Sequence, residues 1–172
     1  VEFTADDESG GALAAQLGRL GFRRVGTHRT KAVTLWRQGD VNLVLNTESD
    51  GFAHAAYIMH GPSVCAICLR VGDAALTMER ARRRLAQPFS RPVGPGETEI
   101  PAIRGVGGSL IYFVEPAGRL STLWEADFTL ESEPEGAIGI TAIDHIAQSM
   151  TYDELLSWRL AYTTLFDMDR TA

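Results

Sequence analysis

The chain has 172 residues, 16 of them basic and 22 acidic, for a formal net charge of −6. That length supports one real hydrophobic core, and an acidic balance without a long basic stripe argues against a nucleic-acid partner. No apolar run approaches the roughly 20 residues of a membrane span and no signal peptide precedes Val1, so no membrane partner and a cytoplasmic setting are expected.

Val1-Glu2-Phe3-Thr4 reads as a short strand, running into a helix over residues 9–20 that Gly21-Phe22 ends. Residues 22–28 read as a second strand. Residues 31–37 alternate, with Val33 and Leu35 on one face, and Gln38-Gly39-Asp40 makes a turn into residues 41–46, so 31–46 form a hairpin. A short helix over 52–60, a strand over 63–71 and an amphipathic helix over 74–85 follow. The Gly- and Pro-rich residues 91–96 are loop. Strands are expected at 99–104, where Pro101 marks an edge or bulge, at 109–115 and at 123–128. Gly105-Val106-Gly107-Gly108 lies between two strands and opens no helix, so it is a hairpin turn and not a phosphate loop. The acidic, Pro- and Gly-bearing stretch Glu131-Ser132-Glu133-Pro134-Glu135-Gly136 is the linker.

Residues 139–147 read as a strand with His145 in its middle. Thr151 is the N-cap of a helix with Glu154 in the capping-box position. That helix carries Leu155, Leu156, Trp158, Leu160, Tyr162, Leu165 and Phe166 and ends near Asp167. A strand and a helix alone close no core, so this segment opens a second module. Val1-Glu2-Phe3 aligns with Ile143-Asp144-His145, and Leu20-Gly21-Phe22 with Phe166-Asp167-Met168, in the manner of a distant internal repeat. The pattern of strand, helix, three strands, then strand, helix, strands defines an α+β design.

Few side chains suggest chemistry by themselves. Cys65-Ala66-Ile67-Cys68 lies on a strand, where residues three apart face opposite ways, so a disulfide or a shared metal is disfavoured and two buried structural cysteines are expected. Arg80-Ala81-Arg82-Arg83-Arg84 reads as a solvated helix face. His28, His54 and His60 read as surface or capping residues, since the six-residue spacing of the last two stacks no ligands on a helix.

The hairpin from His28 to Asn46, the stretch His60-Gly61-Pro62-Ser63-Val64-Cys65-Ala66, the stretch from Ile100 to Tyr112, and Ile143-Asp144-His145 together resemble the 4-hydroxyphenylpyruvate dioxygenase-like branch of the vicinal oxygen chelate (glyoxalase/bleomycin-resistance) superfamily. The resemblance implies paired βαβββ (glyoxalase/dioxygenase-like) modules, one complete and the second truncated. Residues 1–128 would be an N-terminal module without metal ligands, 129–138 a linker, and 139–172 the start of a metal-binding module. Val93-Gly94-Pro95-Gly96-Glu97 and the stretch from Met150 to Trp158 are similar to the dioxygenase-like half of bacterial 3-dehydroshikimate dehydratases, in which a sugar-phosphate-isomerase-like barrel comes first.

In such dioxygenases two histidines and one carboxylate hold Fe(II) and leave positions open for substrate and oxygen. The resemblance makes His145 the first histidine ligand and puts the other two ligands beyond Ala172. In the N-terminal module Phe3 takes the place of His145, residues 65–67 hold no histidine, residues 110–114 hold no acid, and Glu115 is displaced along the strand. The implied parent is an Fe(II)-dependent dioxygenase acting on an aromatic 2-oxo acid, with this fragment itself inactive. The alternatives are an accessory region of a 3-dehydroshikimate dehydratase and a small-molecule-binding module. Fe(II) or another divalent metal is expected in the intact parent and none in this fragment, along with self-association (a homo-oligomer) or burial through the face bearing Trp158 and Leu165.

Overall fold

The computed structural model describes residues 1–131 and 139–169, which places most of the expected linker outside the described residues. The strands are β1 (Glu2–Thr4), β2 (Arg23–His28), β3 (Val33–Gln38), β4 (Val41–Asn46), β5 (Ser63–Arg70), β6 (Pro88–Phe89), β7 (Ala102–Arg104), β8 (Leu110–Val114) and β9 (Phe128–Leu130). The helices are α1 (Asp7–Arg19), α2 (Gly51–His60), α3 (Ala74–Arg83), α4 (Leu123–Asp127) and α5 (Tyr152–Phe166). All nine strands join one sheet in the order β6-β7-β8-β5-β1-β4-β3-β2-β9.

That order contains the repeat. In the first half β1 runs parallel to β4, which leads antiparallel into β3 and β2; in the second half β5 runs parallel to β8, which leads into β7 and β6. The two halves meet where β1 and β5 pair antiparallel. Each half is thus a βα unit followed by three strands, and both lie within the first 114 residues.

Local chemistry explains each βα start. Asp6 accepts a hydrogen bond from the Ser9 amide (2.8 Å) while the Asp6 amide donates to Ser9 Oγ, a capping box that starts α1 earlier than the apolar spacing alone suggests. Asp73 caps α3 in the same way through the Leu76 amide. Leu13 and Leu17 of α1 then pack on Phe3, Trp36, Val41 and Leu43. Ala74, Met78 and Ala81 of α3 pack on Ile67, Leu69, Ile111 and Phe113. Both helices cover one face of the sheet. A Cβ on Gly10 would lie 2.8 Å from Thr47 Cγ2, so α1 needs glycine there to approach the sheet. The β3–β4 hairpin turns at Gly39 with φ +54, and the turn between β7 and β8 passes through Gly107 and Gly108 with φ +62 and +78, in the conformations glycine alone adopts readily.

Four expectations are corrected. Residues 123–127 are helix and only Phe128–Leu130 is strand; one helical turn brings Trp124 onto Phe128, ring centroids 5.6 Å apart. Pro101 precedes β7 and is not at the sheet edge, which is instead formed by β6. Residues 139–147 form no strand: no neighbouring strand is available among the described residues, and an extended segment becomes a strand only by pairing. Cys65 is buried but Cys68 is exposed, and both are free thiols.

The final helix docks on the first module through its C-terminal half. Leu165 is buried, and Ala161, Tyr162 and Phe166 pack against the α3 cluster, with Phe166 5.8 Å from Phe113, ring to ring. Arg80 of α3 donates to the Thr164 carbonyl (2.9 Å) and pairs with Asp167, so the arginine cluster is not simply solvated. The N-terminal half leaves Tyr152, Leu156 and Leu160 exposed.

Candidate functional site

His145 lies in the unpaired segment ahead of α5, its side chain 81% exposed. Its Nδ1 lies 2.8 Å from Asp144 Oδ2. With Nδ1 turned toward the Asp144 carboxylate, Nε2 is the ring nitrogen left open for a metal, although both side chains stand in solvent. Among the described residues no three His, Cys, Asp or Glu side chains converge on one point. One imidazole does not hold an ion by itself, so the rest of any such site has to come from other residues.

The sheet face opposite α1 and α3 is the other candidate. The register puts Glu2 beside Ala66, and Cys68 beside Tyr112, all pointing away from the helices. Asn46 Nδ2 donates to Glu2 Oε1 (2.8 Å). Burial pushes the Glu2 carboxyl above its ordinary value, against the pull of Asn46 and of the positive charges of Arg91, the N-terminus and Lys31. Burial likewise raises the Tyr112 phenol; Cys68 keeps an exposed surface, but desolvation by the surrounding sheet still pushes its thiol up to about 11, away from a reactive thiolate at neutral pH. Phe3, which the sequence aligns with His145, packs under α1, on the opposite face. Sequence reading passed over Glu2; the signal available was an acid between two apolar residues of a strand.

Beside this face the only lysine, Lys31, donates from Nζ to Glu97 Oε2 at 2.6 Å. Burial pushes the Glu97 carboxyl up, but hydrogen bonds from Lys31, Thr30 and the Gly94 amide outweigh it and hold the group at about 2. Glu115 lies just past the end of β8, as the displaced acid of the sequence reading. His28 packs edge-on against Phe128 at 5.2 Å and accepts a hydrogen bond from the Thr30 amide, a structural role. These groups arrange a polar sheet face and a surface clamp. They bring together no nucleophile–base pair.

A nine-stranded mixed sheet made of two βαβββ halves, with α1 and α3 on one face, defines the glyoxalase-like class of fold. The chain belongs to the hydroxyphenylpyruvate dioxygenase N-terminal family, whose model (hydroxyphenylpyruvate dioxygenase, HPPD, N-terminal) matches residues 1–129. It is 44% identical over 167 residues to a 3-dehydroshikimate dehydratase of Pseudomonas aeruginosa, a match that spans 97% of this chain and 26% of that protein. It is 38% identical over 152 residues to a 4-hydroxyphenylpyruvate dioxygenase of a Pseudomonas species, spanning 86% of this chain and 42% of that one. Among solved structures, a xylose isomerase-like TIM barrel/4-hydroxyphenylpyruvate dioxygenase fusion protein superimposes with a TM-score of 0.86 at 45% identity, over 96% of this chain and 26% of that chain. The chain therefore spans between a quarter and half the length of these relatives.

Proposed function

We propose that residues 1–128 are a non-catalytic scaffold of a dioxygenase-like region and that this region belongs to a two-part parent whose other part dehydrates 3-dehydroshikimate. The observation that carries this reading is the 44% identity to a dehydratase across 97% of the chain, higher than the 38% to a dioxygenase over 86%. The fusion named for the solved structure at 45% identity supports the same parentage. Residues 129–138 are then the linker, and the segment from 139 opens the module that completes the region. The parent is a cytoplasmic enzyme of aromatic compound metabolism.

In that completed module His145 is the first ligand of a divalent metal, Fe(II) in the dioxygenase branch. Asp144 supports this role by holding the imidazole through Nδ1. The bound metal supplies open positions for a 2-oxo acid and oxygen. The contribution of this chain is to orient the imidazole, and to hold the second module against the first through Arg80, Thr164 and Asp167. The exposed Tyr152, Leu156 and Leu160 of α5 then face the remainder of that module or a second copy.

A second reading, a parent that is itself a dioxygenase acting on 4-hydroxyphenylpyruvate, is supported by the family match and by the Asp144–His145 pair. A paired assay on the intact parent separates them: protocatechuate formation from 3-dehydroshikimate with a divalent metal, and oxygen uptake with 4-hydroxyphenylpyruvate plus Fe(II). The fusion reading expects dehydration that survives His145→Ala. Oxygen uptake that is lost with His145→Ala, without dehydration, would replace it by the dioxygenase reading.

A further inference from the structure

Residues 90–101 leave the sheet at one edge and are fastened at the other. They connect β6 to β7, the first two strands in the order across the sheet. Yet Lys31 Nζ donates to Glu97 Oε2 at 2.6 Å and the Thr30 hydroxyl donates to Glu97 Oε1, both from the turn between β2 and β3. The Thr98 amide donates to Asp127 Oδ1 at 2.9 Å, next to β9. The order β7-β8-β5-β1-β4-β3-β2-β9 contains seven strand spacings, roughly 33 Å in a flat sheet. The chain from Thr98 to Ala102 reaches at most about 14 Å. The sheet is therefore rolled until its two edges approach, and residues 90–101 bridge the remaining gap.

Inside the roll lies the polar face with Glu2, Asn46 and Tyr112. Arg91, on the bridge, comes close enough to Glu2 and Tyr112 for its positive charge to favour the ionised form of both. Polar contacts hold the bridge down. None of residues 90–101 belongs to the three buried apolar clusters, and Arg91, Pro92, Val93, Pro95, Gly96 and Glu99 are exposed. Its middle is a closed turn: the Gly94 amide donates to Glu97 Oε2 and the Glu97 amide to the Gly94 carbonyl, both at 3.0 Å, with Gly96 at φ +81. The Glu97 carboxylate thus closes the turn and fastens it to Lys31 at once. A segment with few buried apolar contacts opens at a lower free energy than the sheet beneath it.

We propose that residues 90–98 are a gate on the rolled sheet. Fastened through Glu97 and Thr98, they close the gap between its edges; released, they swing out as one unit and open the interior around Glu2 and Tyr112. The inference does not depend on which parent the chain comes from.

The test combines hydrogen exchange with tyrosine nitration on the 172-residue chain. The Gly94, Glu97 and Thr98 amides should share one protection factor, at least about tenfold below that of the β5 amides. In Gly96→Ala the added Cβ meets nothing within 4 Å but must take a left-handed conformation. That substitution should speed exchange of the three amides about tenfold and leave β5 unchanged. Nitration by tetranitromethane, mapped by peptide mass, should accelerate by the same factor at Tyr112, while Tyr162 on α5 keeps its rate. The double variant Lys31→Met/Glu97→Gln removes the fastening without stranding a charge and should act in the same direction, with circular dichroism checking the fold. Three amides as protected as β5, a sheet loosened as much as the turn in Gly96→Ala, or an unchanged Tyr112 rate in that variant would each overturn the proposal.

Discussion

Replacing Lys31 by methionine should destabilise the chain by about 1.5–3 kcal/mol at pH 7, the range for losing a hydrogen bond to a charged group. The lysine and Glu97 side chains are 17% and 7% exposed, so water replaces the ammonium only in part. The carboxylate keeps the Thr30 hydroxyl and the Gly94 amide as donors, which do not neutralise it. Adding Glu97→Gln to the lysine variant should restore part of the loss, because a neutral amide no longer needs a counter-charge. The pH dependence has a definite sign. Glu97 titrates at about 2 in the folded chain against an ordinary value of 4.5. Its contribution is therefore complete above pH 4.5 and fades as the pH falls toward 2. Urea unfolding at pH 7 and pH 3 measures both effects. A lysine variant as stable as the parent sequence at pH 7 would show that the pair contributes little.

Gln38→Leu should cost about 2–3 kcal/mol, because it strands hydrogen-bonding groups while keeping nearly the same volume. The Gln38 side chain is 3% exposed and satisfied at both ends. Nε2 donates to the Leu20 carbonyl at 2.9 Å, and Oε1 accepts from the Gly139 and Ile140 amides, both at 3.0 Å. One amide thus ties the end of α1 to the start of the second segment, where Ile140 also packs beside Phe22 and Val41. Hydrogen exchange should locate the effect: the Gly139 and Ile140 amides lose protection before the sheet does. Uniform loss of protection across the sheet, with these two amides unchanged, would contradict the tie.

The sheet was legible because its strands alternate and its turns carry glycine. Residues 31–46 read as a hairpin and the apolar run over 63–71 as a strand, and both form, the second as β5 between β1 and β8. The capping box at Thr151 and Glu154 announced α5, where Thr151 Oγ1 donates to Glu154 Oε2 at 2.7 Å. Residues 123–127 misled because a short apolar stretch suits either helix or strand. Residues 139–147 have strand composition but lack a partner, which no local pattern reveals. The candidate site was legible only through resemblance. The expectation of a ligand at His145 came from a family pattern, whereas Lys31 meeting Glu97 is a long-range contact that spacing cannot show. The face that Glu2 occupies likewise depends on the register of β1 between β4 and β5, which no local pattern carries.

The central claim is that residues 1–128 scaffold a metal site they do not themselves contain. Anaerobic calorimetric titration with Fe(II) tests it most directly, on the 172-residue chain and on the intact parent with and without His145→Ala. The account predicts no stoichiometric site on the chain, and in the parent a tight site whose affinity collapses when His145 is replaced. A stoichiometric, tight site on the chain alone that survives His145→Ala would contradict it, and would place metal chemistry within the first module.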